Sequence, residues 1–221
     1  MPKIVDHEKR REEVLAATYR VIERVGLEEA TTRRIAEEAG YSNGVLAHYF
    51  ADKDDILVSA LEQAHAHVRA RFNRVSEGRV GVDALRAVIE EALPLDAERL
   101  LEARIEFSFL GRALNSPRLR QVHGDDLTHF RGRLTGLVGD ARAGQEIATH
   151  LTDEDVVGEI LVLVDGLSIQ ALLAPDRITP GVQLRMLDLL LAALKPMPGK
   201  RGRARPSRAG AGPGPVGLAA G

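Results

Sequence analysis

Between Thr31 and Phe50 the chain reads TTRRIAEEAGYSNGVLAHYF, and this stretch limits the possible folds more than any other. Gly40 separates two segments of helical period, each too short to persist alone, so they must be held against each other and against a neighbour. Ala36 is small enough to let the second helix approach, Gly40 supplies the turn, and Leu46 plugs the junction. A small residue, a glycine four positions on and an aliphatic ten positions on is the spacing of a helix-turn-helix, a unit able to place a short helix in a DNA groove. Helical hairpins with glycine turns are common, so the spacing alone leaves other helical folds open.

The flanking sequence continues in helical period. A helix is predicted from about Asp6 to Val25, with Leu15, Thr18, Ile22 and Val25 on one stripe widened by Val14 and Val21, and Gly26 as its left-handed cap. Thr31 or Thr32 caps the next helix, Ser42 or Asn43 opens a third that ends near Tyr49 and Phe50, and Asp52 caps a long fourth from Lys53 to about Val75. On that fourth helix Ile56, Leu57, Ala60, Ala64, Val68 and Phe72 form the inner side. Further helices are predicted near 82–93, 97–114, 117–142, 153–173 and 181–194, parted by Pro94, Asn115-Ser116-Pro117, Gly144 and Pro175/Pro180. No strand alternation is evident, and a 4% aromatic content without tryptophan suits a β-rich core poorly. The chain is therefore read as all-α with about nine helices: a head over 1–52, a helical body over 53–195, and a tail over 196–221. The tail's Gly, Pro, Ala and Arg carry no apolar period, so it is expected to be disordered.

Charge and composition narrow the function. The absence of cysteine removes disulfides, zinc–thiolate sites and thiol nucleophiles, and suits a cytoplasmic location. The polar start MPKIVDHEKRREE does not read as a signal peptide, and no uninterrupted apolar run of membrane-spanning length is seen, so no membrane partner is expected. From Lys195 onward six cations stand without an acid, whereas the whole chain carries −2, which leaves the rest near −8. Any contact with nucleic acid must come from local clusters rather than the global field. The basic tail reads either as an appendage or as a source of salt-sensitive DNA affinity. No Ser-His-Asp order and no glycine-rich phosphate loop occur, so no enzyme and no cofactor are expected. His123, Asp125, Asp126 and His129 admit a metal reading, Asp125 and His129 being one turn apart, but a solvated polar turn is the simpler one and no metal site is assigned.

The first 65 or so residues resemble the TetR family of bacterial regulators. The resemblance rests on the amphipathic first helix, the short second helix from Thr32 to Ala39, a recognition helix from Asn43 that ends in Tyr49-Phe50, and Lys53 followed by Asp54-Asp55-Ile56-Leu57. It implies a three-helix DNA-binding head. Thr32 and Arg33 would meet phosphates or a base edge; Ser42, Asn43, Gly44, Val45, His48 and Tyr49 would face the major groove, and Lys53 would clamp a phosphate. Val45 stands where the family often has a hydroxyl residue and Ala47 where it often has tyrosine, so sequence preference does not carry over. Lys9-Arg10-Arg11 reads as a solvated helix start that could also touch phosphate.

In the body, VVGEILVLVDGLSIQALL is apolar nearly all round, which buries a helix on more than one side. With the leucine-rich final helix it suggests a four-helix dimer interface through Ile160, Leu161, Val164, Leu167, Ser168, Ala171, Leu187, Leu190 and Leu191, an intrachain core being the other reading. The phrase DGLSIQALL resembles the C-terminal domain of TetR regulators of the choline-responsive, betaine-pathway type. Tyr19, Tyr41 and Tyr49 all lie in the head, however, so the aromatic cage that a quaternary ammonium wants is not evident. A general small-molecule effector pocket is expected instead, with Glu102, Arg104, Glu106, Phe107, Phe109, Arg112, His123, Phe130, Asp165 and Gln170 as candidates. The resemblance thus implies a homodimeric repressor released from a palindromic operator by an effector; the alternatives are a ligand-independent regulator or activator and, remotely, an all-helical enzyme.

Overall fold

The computed structural model describes residues 3–195, with side chains from residue 7; the predicted disordered tail lies outside the described residues. Within them the chain forms nine helices and no strand: α1 Lys3–Val25, α2 Thr32–Ala39, α3 Asn43–Leu46, α4 Lys53–Ser76, α5 Gly81–Ala92, α6 Ala97–Ala113, α7 Pro117–Ala143, α8 Asp153–Leu173 and α9 Pro180–Leu194. Most boundaries follow from single residues. Thr31, Ser42, Asp52, Asp96, Ser116, Thr152 and Thr179 each accept a backbone N–H from the first turn of the helix they open. Pro117 and Pro180 occupy first-turn positions, where a missing N–H costs nothing. At the end of α2, Gly40 takes φ 74° while Tyr41 N–H bonds Ala36 O at 2.9 Å and its own N–H bonds Glu37 O at 3.2 Å, the paired bonds of a left-handed helix stop.

The recognition segment is shorter as regular helix than the sequence suggests. α3 ends at Leu46, and the chain then descends by tight turns, His48 N–H to Val45 O at 3.1 Å and Tyr49 N–H to Leu46 O at 2.9 Å. Tightening the last turn tucks Phe50 into the core before Asp52 opens α4. Val25, expected on the inner stripe of α1, is also exposed, because the stripe has rotated past the contact with α2 at the helix's last residue.

Two apolar clusters hold the molecule. The upper one joins Val14, Val21, Ile35, Leu46 and Phe50 of the head to Ile56, Leu57 and Leu61 of α4, Ile105 and Phe109 of α6, and Leu119 of α7. Packing therefore runs straight across the division at Asp52. The lower cluster joins Phe72, Leu85, Val88, Ile89, Leu134, Val138, Ile160, Leu187 and Leu191. On α4 and on α7, polar side chains fall in chain order between the two: His65 and Arg69 on one helix, His123 and Asp126 on the other.

α8 is long and apolar enough, by length and composition, to cross a membrane. Its apolarity has a packing explanation, since Val156, Val157, Ile160, Leu161, Val164, Leu167 and Ala171 are buried within this one chain. That changes the view of the expected dimer face. Ile160, Leu161, Val164, Leu167, Ser168, Ala171, Leu187 and Leu191 are already buried against the chain's own helices, and Leu190 is half-buried. The apolar side chains that α8 and α9 leave outside are Val162 at 75%, Leu173 at 73%, Leu189 at 61% and Met186 at 38% exposure.

α5 has no cap of its own. Val80 supplies no side-chain bond, and Glu146, from the loop after α7, accepts Val82 N–H at 3.2 Å instead. The carboxylate fits because Gly81, at φ 57°, has no Cβ; one built there would sit 1.9 Å from Glu146 Oε1. Gly81→Ala is expected to displace this cap and strain the backbone, at a cost of about 2 kcal/mol. Thermal unfolding should show a midpoint roughly 4–8 °C lower, and an unchanged midpoint would remove the role assigned to Glu146.

Candidate nucleic-acid interface

The head presents α3 by locking α1, α2 and α4 around it. Arg20 and Arg24 of α1 both bond Glu38 of α2 at 2.8 Å, and these two ion pairs hold its carboxyl below the usual range. Tyr19 donates its hydroxyl to Ala60 O, tying α1 to α4, and burial pushes its phenol well up. With those contacts made, Ser42, Asn43, Gly44 and His48 are left exposed together, whereas Val45 and Tyr49 are half-buried. Ser42 spends its hydroxyl as the cap of α3, accepting Val45 N–H at 3.4 Å. Asn43 and His48, with the remaining O–H of Ser42, are thus the exposed polar groups of this segment open to hydrogen bonding, and Gly44 between them lets a surface approach closely.

The remaining sequence-derived contacts are distributed less simply. Arg33 is exposed but pairs with Glu37 at 2.8 Å on the outer face of α2, which raises its guanidinium pKa through that hydrogen bond. Thr32 is half-buried one residue inside the cap formed by Thr31. Lys53 turns toward the α1–α2 loop, its Nζ donating to Glu28 O at 3.3 Å, and burial together with the nearby Arg112 guanidinium lowers its pKa. A phosphate clamp at Lys53 would require that bond to be given up. Tyr49 packs against the head, its ring 4.4 Å from that of His7 and its hydroxyl 3.4 Å from Arg10 Nη1.

Arg11 is the residue that sequence reading did not single out within its basic run. Its Nη1 donates to Tyr49 O at 3.0 Å, its Nη2 to Ser59 Oγ at 2.6 Å, and its guanidinium stands 4.5 Å over the Phe50 ring. The partners lie 38 and 48 residues away, so no local pattern could have marked it.

The helix bounds, the turn at Gly40 and the exposed Asn43-Gly44…His48 edge are those of a regulatory head, and the sequence relationships agree. Residues 14–60 match the family described as bacterial regulatory proteins, tetR family, and residues 81–196 match the BetI-type transcriptional repressor C-terminal family. The HTH-type transcriptional regulator PksA of Bacillus subtilis is 31% identical over 80% of this chain and 86% of its own length. The chain belongs to the TetR family of bacterial transcriptional regulators. It is a DNA-binding regulator and not an enzyme. The regulator BetI of Escherichia coli O157:H7 is 29% identical over 79% of this chain and 88% of its own. Among solved structures, a transcriptional regulator from Rhodococcus sp. Rha1 superposes with a TM-score of 0.74 at 31% identity, covering 83% of this chain and 95% of that one. A putative transcriptional regulator from Saccharomonospora viridis, solved in complex with choline, shares the fold with a TM-score of 0.78 at 20% identity, covering 84% of this chain and 96% of that one.

In this TetR body the side chains expected to line one pocket are separated. Phe109 is buried in the upper cluster, Phe130 stacks on Phe72 with centroids 5.1 Å apart, and Glu102 is bonded by Arg71 at 2.7 Å. Phe107 and Arg112 line a groove of about 500 Å³ at the junction of head and body, together with Glu28, Asp54 and Asn115. Gln170 is exposed on α8 and Arg104 on α6. Glu106 and His123 do meet: Glu106 Oε1 lies 3.2 Å from His123 Nδ1 and its Oε2 lies 3.1 Å from His65 Nε2. Burial opposes ionisation of Glu106, but the two histidines outweigh it and bring its pKa to about 2. The hydrogen bond to Glu106 raises His123 against burial, with Asp165 and Asp126 adding to the rise, while burial pushes the Asp165 carboxyl up. Among the described residues no group of three or more His, Asp or Glu side chains is arranged to hold a metal, and His129 Nδ1 lies 2.8 Å from the backbone oxygen of Asp125.

This cluster makes stability depend on pH with a definite sign. Glu106, lowered in the fold, stabilises above its unfolded value near 4.5 and loses that contribution as pH falls toward 2. His123, raised in the fold, stabilises fully below its unfolded value near 6.5 and loses that contribution as pH climbs through its raised value. The network is therefore strongest between those two unfolded values and weakens on the alkaline side. Urea midpoints at pH 6 and pH 9 should differ more for the native chain than for His123→Gln; equal differences would show that His123 does not couple to folding.

Proposed function

We propose that the chain is a homodimeric repressor that reads a palindromic DNA operator through Ser42–Tyr49 and is released by a small-molecule effector, working in the cytoplasm on chromosomal DNA. The observation that carries the reading is the exposed Asn43-Gly44…His48 edge, presented beyond the Gly40 turn while every large apolar side chain beneath it is buried. Asn43 offers the amide geometry that pairs bidentately with adenine, His48 a ring that can donate or accept, and half-buried Val45 a methyl surface for thymine. Thr32, Arg33 and the opening of α2 would lie along the phosphates.

Two recognition segments roughly 34 Å apart would read the two half-sites, which requires a dimer. The side chains that support it are Val162 and Leu173 on α8 with Met186 and Leu189 on α9, an apolar set left uncovered by the chain's own packing. The junction groove beside Phe107 and Arg112 supports an effector site close enough to α4 to act on the head. Choline is not favoured, since Phe72 and Phe130 stack on each other and Phe109 is buried in the core, so these three rings do not form a cage.

Footprinting on DNA upstream of the protein's own gene tests the reading. Asn43→Ala is expected to weaken protection by about 10-fold or more, at roughly 1–3 kcal/mol for a bidentate base contact. Protection equal to that of the native chain would sink the recognition assignment, and a footprint without two-fold symmetry would sink the dimer.

A further inference from the structure

Asp54 and Asp55 open α4, where acids are favoured by the helix dipole. The dipole does not explain why each is also gripped by an arginine far along the chain. Arg112 Nη2 donates to Asp54 Oδ1 at 2.7 Å, with its Nη1 3.6 Å from Glu28. Arg118 Nη2 donates to Asp55 Oδ1, again at 2.7 Å. The two arginines flank the corner between α6 and α7, so this corner straddles the first turn of the helix that leaves the head.

Asp55 has a second task. Its Oδ2 accepts the N–H of Ala51 at 3.0 Å, the residue that follows Phe50. On the other side of Phe50, Arg11 donates to Tyr49 O at 3.0 Å and to Ser59 of α4. The exit of the recognition segment is thus pinned through its backbone on both sides of one buried ring. Burial disfavours the Asp55 anion, but the Ala51 N–H, Arg118 and Arg11 together hold its carboxyl below the usual range. Asp55 keeps 19% of its side-chain surface and Arg118 54%, so the acid is the enclosed member of the pair and the arginine reaches it from the solvent side.

We propose that Arg118, a residue of the body, is a positioning residue for DNA reading: by holding Asp55 against the Ala51 peptide it sets the tilt of Ser42–Tyr49 toward the groove. The proposal rests on Ser42–Tyr49 being the DNA-reading segment. With its arginine more than half-exposed, the pair is screened by solvent and contributes little to global stability, so its loss should show in recognition and not in unfolding.

The experiment uses the full chain and a duplex carrying the sequence protected in footprinting. Operator affinity is measured across a salt series for Arg118→Gln, Asp55→Asn, the double variant and Asn43→Ala, alongside thermal midpoints. Asp55→Asn keeps an oxygen for Ala51 N–H and removes the charge that Arg118 grips. Arg118→Gln should lose about three- to tenfold in affinity, the range of couplings carried through intermediary residues. Its midpoint should move by no more than about 2 °C, and its slope of log K against log salt should be unchanged, because it touches no phosphate. The double variant should be no weaker than Asp55→Asn alone.

Native affinity in Arg118→Gln overturns the proposal, as does a slope reduced by about one, which would make Arg118 a phosphate contact. Additive losses in the double variant also overturn it. If Asn43→Ala loses affinity and Arg118→Gln does not, the positioning role alone falls; if Asn43→Ala is silent, the recognition reading falls and takes this proposal with it.

Discussion

Replacing Val162 and Leu189 together by glutamate is expected to leave the chain folded, render it monomeric, and weaken operator binding by about 100-fold or more. Both side chains are mostly solvent-exposed in the single chain, at 75% and 61%, so the charges disturb no internal packing. In a dimer the same charges would face each other across a desolvated apolar patch, where like charge is strongly unfavourable. The loss in DNA affinity follows because each half-site is then bound independently, without the high local concentration that the second head gains once the first has docked. Sedimentation and gel-shift titration of the same preparation check both halves. A variant that remains dimeric would move the interface away from α8 and α9.

The second large effect concerns the core that head and body share. Phe109→Ala empties a site at 1% exposure where α6 meets the head, and should cost about 3–5 kcal/mol. For a chain of this size that corresponds to a midpoint lower by roughly 6–20 °C. The diagnostic is which parts melt together. All three tyrosines, Tyr19, Tyr41 and Tyr49, lie in the head and there is no tryptophan, so intrinsic fluorescence reports the head, while far-ultraviolet dichroism mostly reports the longer body helices. A common cluster joining Val14, Ile35 and Phe50 to Ile105 and Phe109 requires both signals to shift together. Separate midpoints, with fluorescence unmoved, would show that the head folds without α6.

These expectations draw on features of unequal visibility in the sequence. Helix bounds were legible because the punctuation is chemical: Ser116-Pro117 and Thr179-Pro180 cap and start helices, and Gly40 stops one, whatever the tertiary context. The side of α8 that faces inward was not legible. A helix apolar nearly all round has no polar face to orient it, so Ile160 and Leu167 could be assigned to a partner when they serve the chain's own core. Phe109 and Phe130 were read toward a pocket for a related reason, since an aromatic in a helical stripe looks the same whether it lines a cavity or fills one. Arg11, Arg118 and Lys53 act through partners 25 to 63 residues distant, and only folding brings these into range. The end of α3 at Leu46 is followed by Phe50 seated under Arg11, a long-range contact that the local sequence does not display.

The polar side chains between the two apolar clusters carry a consequence for the long helices. Sliding α7 by one turn along α4 would carry His123 and Asp126 away from Glu106, His65 and Arg69 and set charged groups against the leucines and valines of a neighbouring cluster, leaving them desolvated and unpaired. Leucine-on-leucine packing alone discriminates weakly between such registers; an ionic stratum discriminates strongly. The layer acts as a key that admits one alignment of α7 on α4, so the corner at Arg112–Arg118 always arrives opposite Asp54 and Asp55.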